Sequence, residues 1–304
     1  MEINFNLSQS GIFLDLLLSS ISNLPGYHLS DNAEWFISKC VQTKQDRIIL
    51  NEFGRASSDF KWGELEHIFH NSHSIQEVKL KLKNIDSAEL RNLAWITTKQ
   101  FWNSFQDEYA LIQHCLKKKI ETLTSLKKQK MFKNCLSLIK KSYCQGKKIS
   151  TLNISVTPNF GLNISSGTAF MNEKPLIVLR ATNFPKMSTK LNKTDLGVLF
   201  HEISHLLLDS AFNPARKVVD ETLSFQKASA SERNEVSEML VRGGFPCGIL
   251  AMESGLIKRP IQNPTSQLNN HTNQLIKRIR DRKIVFCLSD PRITLEALSI
   301  LREM

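Results

Sequence analysis

One segment constrains this chain more than any other. From Leu196 to Ser210, apolar residues fall at offsets 0, 3, 4, 7, 10 and 11: Leu196, Leu199, Phe200, Ile203, Leu206 and Leu207. At 3.6 residues per turn these share one stripe, which must face a core. His201 and His205 lie on nearly the opposite side with Val198 and Asp209, and Gly197, Val198 and Leu208 keep that side from being an ordinary charged surface. It reads as the floor of a cleft, and Thr194 or Asp195 is the expected N-cap.

Two histidines four apart on a helix project from one face, one turn above the other. Their imidazoles can share one tetrahedral Zn²⁺ at about 2.0–2.1 Å. Glu202, beside the first histidine, is placed to take a proton from a zinc-bound water and pass it to a leaving amine. The pattern His201-Glu202-Ile203-Ser204-His205 is therefore expected to hold one Zn²⁺ with Glu202 as the base. A third protein ligand is needed, with the fourth position left to water. Asp209 is one helical turn too far along to join both histidines on one ion and reads as a supporting acceptor. Glu221, in a second helix after Asn213-Pro214, is sixteen residues past His205, enough for a turn and an antiparallel return. It is the preferred ligand; Asp220 and Glu235 stay open as alternatives, and Glu232 and Glu238 read as a solvated face.

Residues 1–150 read mainly as helices, with apolar spacings of three and four over Asp31–Gln42, Gly63–Asn71 and Ser87–Lys119. Gly11–Leu24 reads as an amphipathic helix. Near Ser150 the period changes: Thr151–Thr157 alternates Leu152, Ile154 and Val156 with polar residues, as a half-buried strand does. Strand-like Leu162–Ile164, Thr168–Met171 and Pro175–Ala181 follow, joined by connections so short that a small, mainly antiparallel sheet is expected. Helices resume from about Thr194. The fold class is α+β, divided into a mainly helical region, 1–150, and a catalytic region, 151–304.

His201-Glu202-Ile203-Ser204-His205, then Asp209, then Asp220-Glu221-Thr222-Leu223-Ser224 resembles the gluzincin pattern of thermolysin-like zinc metallopeptidases. It is similar too to the compact HExxH-plus-Glu enzymes that bacteria inject into host cells. The resemblance covers residues 194–226. It implies a zincin-like fold, His201, His205 and Glu221 as ligands, Glu202 as base, and zinc-dependent hydrolysis of peptide bonds in a protein substrate. It also implies that the strand containing Leu176, Ile177, Val178 and Leu179 is an edge strand on which substrate backbone pairs; the residues by themselves allow an internal strand equally. Such enzymes need a donor to the developing oxyanion, for which His271, Arg259 and Tyr143 are the candidates. A zinc-binding interaction protein without proteolysis is the alternative function.

Charge points to partners. Between Lys117 and Lys148 eleven lysines face one acid, Glu121, so this stretch carries nearly all of the formal +11. The plain reading is a solvated helical face; the sharper ones are an acidic protein partner or an anionic surface. Nucleic acid is not expected, since only Phe132 and Tyr143 supply aromatics there and no nucleic-acid module is recognisable. No run of about 18 apolar residues offers a transmembrane helix, and no basic segment precedes Gly11–Leu24 to make a signal peptide. The six cysteines lack paired spacing, which suits a reducing cytosol, the cell's own or a host's.

Overall fold

The computed structural model describes residues 2–21, 38–58, 63–143, 149–159, 166–170, 175–183, 193–209, 213–246, 248–258 and 266–303. The chain opens with strand β1 (Glu2–Asn6). Helices α1 (Gln9–Ser19), α2 (Lys44–Ser58), α3 (Gly63–His70), α4 (Ile75–Leu82), α5 (Ala88–Leu126) and α6 (Lys130–Ser142) follow. It then forms β2 (Thr151–Asn159), β3 (Ser166–Phe170) and β4 (Leu176–Asn183). Helices α7 (Lys193–Leu208), α8 (Pro214–Phe225), α9 (Ala230–Gly244), α10 (Ile249–Glu253), α11 (Gln267–Asp281) and α12 (Pro291–Arg302) come last. The result is a mostly helical α+β protein with one small mixed sheet. Of the expected segments, 31–37 and 162–164 lie outside the described residues.

Short polar side chains set the helix starts. Ser87 accepts from Leu90 N at the head of α5, and Asn213 accepts from Ala215 N with Pro214 in the first turn of α8. Ser229 and Glu232 form a capping box on α9. Asp195, an expected cap, sits instead inside the first turn of α7. There Lys119 of α5 reaches it, Nζ to Oδ2 at 3.1 Å, with both side chains buried.

The strand order is β1-β2-β4-β3. β1 runs parallel to β2, and β2 parallel to β4; only β3 is antiparallel, against β4. The expectation of a mainly antiparallel sheet is thus corrected. Short connections constrain sequence neighbours, but β2's spatial neighbours are β1, from the start of the chain, and β4, beyond β3. The stretches 1–150 and 151–304 therefore share one sheet. The same order makes Leu176, Ile177, Val178 and Leu179 part of an interior strand, with β3 at the edge.

The register gives the sheet two unlike faces. Ile3 pairs with Leu152, Phe5 with Ile154, Ile154 with Ile177 and Val156 with Leu179, making an apolar face. Asn4, Asn6, Asn153, Ser155, Thr157 and Arg180 lie on the other, with Leu176 and Val178 among them. Asn4 at one end of this second face is exposed, but its middle is not solvated, for Ser155 and Thr157 are fully buried beneath α1 and α3. Arg180 Nη2 donates to Asp15 Oδ1 of α1 at 2.7 Å and to Glu66 Oε1 of α3. Thr157 Oγ1 donates to Asp15 Oδ2 at 2.9 Å, and His70 Nδ1 lies 2.9 Å from Ser155 Oγ. This polar network explains how α1 can be buried from Ser10 to Ser19, Asp15 included, rather than amphipathic.

Helix α7 packs its stripe as the period requires, with Leu199, Phe200, Ile203 and Leu207 all buried. Phe200 packs at a tilt between Phe132 of α6 and Phe245 after α9, ring centroids at 5.0 and 5.3 Å. The helix lies under β3 on the apolar face, where a Cβ on Gly167 would come within 2.5 Å of Glu202 Cγ.

Candidate metal centre

His201 and His205 leave α7 one turn apart, their rings 4.7 Å apart and almost perpendicular. His201 Nδ1 is 3.0 Å from the carbonyl oxygen of Phe245. A carbonyl can only accept, so the proton is on Nδ1 and the Nε2 lone pair is free to coordinate. On His205, Nδ1 is 3.8 Å from Asp209 Oδ2. Facing both Nε2 atoms is the carboxylate of Glu238 from α9: Oε2 is 3.0 Å from His205 and Oε1 3.5 Å from His201. Two ligands on a tetrahedral Zn²⁺ at about 2.0–2.1 Å lie about 3.3 Å apart, close to each of these carboxylate-to-imidazole spacings. Among the described residues His201, His205 and Glu238 are the group able to hold a metal, their donor atoms lying within 4.8 Å of one another.

The expected third ligand is elsewhere. Glu221 projects from α8 with its side chain 66% exposed, 3.7 Å from Lys217. Helix α8 is an excursion between α7 and α9, and the carboxylate that returns to the histidines is on α9. Asp220 pairs with Arg216, as does Asp209, at 3.0 and 2.9 Å. Glu235 meets His271 Nδ1 at 2.8 Å, and Glu232 is occupied by its cap and by Arg302. The spacing of Glu235, Glu238 and Arg242 along one helix, bounded by the Ser229 cap and Gly243-Gly244, is the signal that could have set Glu238 beside Glu235 as a candidate. Its i,i+4 match with Arg242 disguises it as a surface pair.

The oxyanion candidates stand as follows. Tyr143 is fully buried and donates to the carbonyl oxygens of Leu240 and Val241 at 3.2 and 3.3 Å, so its hydroxyl serves α9. Burial pushes its pKa up. His271 is 1% exposed and held by Glu235. Arg259 lies outside the described residues.

Protein-family models, curated proteins and solved structures alike offer no match to the chain.

The electrostatics suit metal-assisted proton transfer. Burial, then the charge of His205, lowers His201 to about 4 against the opposing pull of Glu238, so its imidazole is neutral at pH 7. Burial opposes charge on His205 as well, but the hydrogen bond and charge of Glu238 carry its pKa above the ordinary value. Glu238 is held at about 2, burial being overcome by the two histidines and Arg242. Glu202 is buried and pushed up to about 7 by desolvation, with His205 pulling it down and Glu238 up. A carboxyl near 7 beside a metal-ligand set can accept and return a proton at neutral pH.

Proposed function

We propose that the chain is a metal-dependent peptidase, zinc being the ion its donors suit best, that hydrolyses peptide bonds of a protein substrate. The observation that carries this reading is the joint placement of two imidazole nitrogens and one carboxylate within 4.8 Å of one another, with a buried carboxyl, Glu202, next to them on the same helix turn. Two histidines and a glutamate are a catalytic rather than a closed structural donor set. A bound ion supplies Lewis acidity, polarising a carbonyl and easing loss of a proton from water.

The chain's own residues do the rest. His201 coordinates through Nε2 because the Phe245 carbonyl fixes its proton on Nδ1. Glu202 takes the proton of the attacking water and returns it to the leaving amine. Beside it is Gly167 of β3, whose lack of a side chain lets the carboxyl lie against the strand. Because β3 is the sheet edge, we read Ser166–Phe170, not Leu176–Leu179, as the strand on which an extended substrate backbone pairs. A helix bearing the histidines beneath an edge strand, with a glutamate from a later helix, supports a zincin-like, gluzincin-type architecture and the effector-like enzymes that share it. Exposed Lys117 and Lys118 on α5, Lys128 in the turn after it, and Lys130 and Lys133 on α6 favour an acidic substrate.

The test is proteomic. Cytosolic extract treated with wild type should gain new protein N-termini that are absent with Glu202→Ala and with chelated enzyme. Stoichiometric zinc with no Glu202-dependent cleavage would replace the peptidase by a zinc-binding interaction protein.

A further inference from the structure

We infer that Arg242, braced by Asn269, is the positioning residue that commits Glu238 to a metal through one carboxylate oxygen. The inference rests on the metal centre proposed above and adds a residue to it.

Arg242 follows Glu238 by one turn on α9, and its Nε donates to Glu238 Oε1 at 2.7 Å. That oxygen is the one 3.5 Å from His201 Nε2, while Oε2 is 3.0 Å from His205 Nε2. The guanidinium therefore grips the carboxylate on one oxygen only. A second anchor sits behind it: Arg242 Nη1 donates to Asn269 Oδ1 at 2.8 Å. Asn269 is itself fixed in the first turn of α11, where its backbone N–H meets the Ser266 cap. The line Ser266, Asn269, Arg242, Glu238 thus runs from one helix start to the candidate ligand.

The geometry has a chemical consequence. A glutamate free to rotate can chelate a cation with both oxygens, using a coordination position that a catalytic site keeps for water or substrate. An oxygen already accepting a charge-assisted hydrogen bond is a poorer second donor. The planar guanidinium, clamped at Nε and Nη1, holds that arrangement with a direction that a lysine ammonium lacks. A surface i,i+4 pair has no need of the Asn269 brace, nor of an oxygen that also meets a histidine nitrogen.

The full-length protein can be tested as wild type, Arg242→Met, Arg242→Lys and Asn269→Ala, with Arg55→Met as a distant control. Zn²⁺ affinity is measured by competition with a chromophoric chelator, and the visible spectrum of the Co²⁺-loaded protein reports coordination number. Thermal unfolding of each variant shows whether it is folded. Arg242→Met should weaken Zn²⁺ binding by about 10–100-fold, the usual loss for a partner of a metal ligand, and should weaken the Co²⁺ visible bands as the site moves from four towards five donors. Arg242→Lys should restore little, and Asn269→Ala should shift both readouts the same way by less. If Arg242→Met does not fold, Asn269→Ala carries the test. Zn²⁺ affinity within twofold of wild type together with an unchanged Co²⁺ spectrum overturns the inference. A wild type that binds neither ion overturns the metal centre itself.

Discussion

Lys119 of the long helix α5 reaches Asp195 in the first turn of the histidine-bearing helix, Nζ to Oδ2 at 3.1 Å, with side chains 2% and 1% exposed. The pair fixes where α7 begins, and it places a negative charge at the end of the helix that favours one. One lysine of the basic stretch 117–148 is thereby structural rather than part of any docking surface. Removing either partner strands a buried charge, which costs about 3–5 kcal/mol. Lys119→Met should lower the unfolding free energy by that amount in urea titration, and Lys119→Met with Asp195→Leu should recover most of it. Equal stabilities for the single variant and wild type would show the pair to be idle.

The third ligand is open to a direct contrast. Glu238→Ala should lose bound zinc by at least about 100-fold in affinity, more than loss of a supporting partner costs. Glu221→Ala, changing an exposed side chain on α8, should keep stoichiometric metal. Metal content after dialysis decides between them, and the reverse order of losses would restore Glu221.

Gly167 makes a steric prediction. A methyl there would lie 2.5 Å from Glu202 Cγ and 3.0 Å from its Cδ. Neither β3 nor α7 can yield easily, so the carboxyl must swing away. A base misplaced by about 1 Å costs on the order of 100-fold in rate. Gly167→Ala should therefore cleave poorly while binding zinc as wild type does.

Tyr143→Phe removes a buried hydroxyl that serves two carbonyl oxygens of α9. The expected result is a stability loss of about 1 kcal/mol with the cleavage rate unchanged per folded molecule. A large drop in turnover at full metal loading would return Tyr143 to the reaction.

The Asp15 network predicts acid sensitivity. Burial would raise the Asp15 carboxyl, but Arg180 and then His70 hold it at about 2, against 3.8 in its ordinary state. Its folded pKa is depressed, so its stabilisation is complete above about pH 4 and is lost as pH falls towards 2. The urea midpoint should drop across that window, and Asp15→Asn should flatten this part of the profile while costing about 3–5 kcal/mol at pH 7. An unflattened profile in the variant would place the acid response elsewhere.

What the sequence discloses is what is local. Leu199, Phe200, Ile203 and Leu207 announce the buried stripe of α7 by period alone, and the four-residue step from His201 to His205 sets their rings together without reference to the remaining fold. Glu238 is not disclosed, because its arrival depends on α8 turning out and α9 turning back, a matter of tertiary packing. The interior place of Leu176–Leu179 is hidden for a similar reason: β4 inserts between β2 and β3, an order that short connections between sequence neighbours do not announce. The alternation of Thr151–Thr157 is visible, yet it suggests a solvated polar side. Only the combination of Asp15, Glu66, His70 and Arg180, drawn from α1, α3 and β4, shows that side to be interior at Ser155 and Thr157.

The pairing of Ile3 with Leu152 spans roughly 150 residues of intervening chain. Contacts that distant form late, since the loop must close before the strand pair returns any stabilisation. On the ribosome, β1 waits without a strand partner while α1 to α6 are made. The edge strand and the histidine helix emerge later, and the carboxylate of Glu238 later still. No nascent fragment that stops short of α9 has all three candidate metal donors, so whatever activity the proposed centre has is withheld until synthesis is well advanced.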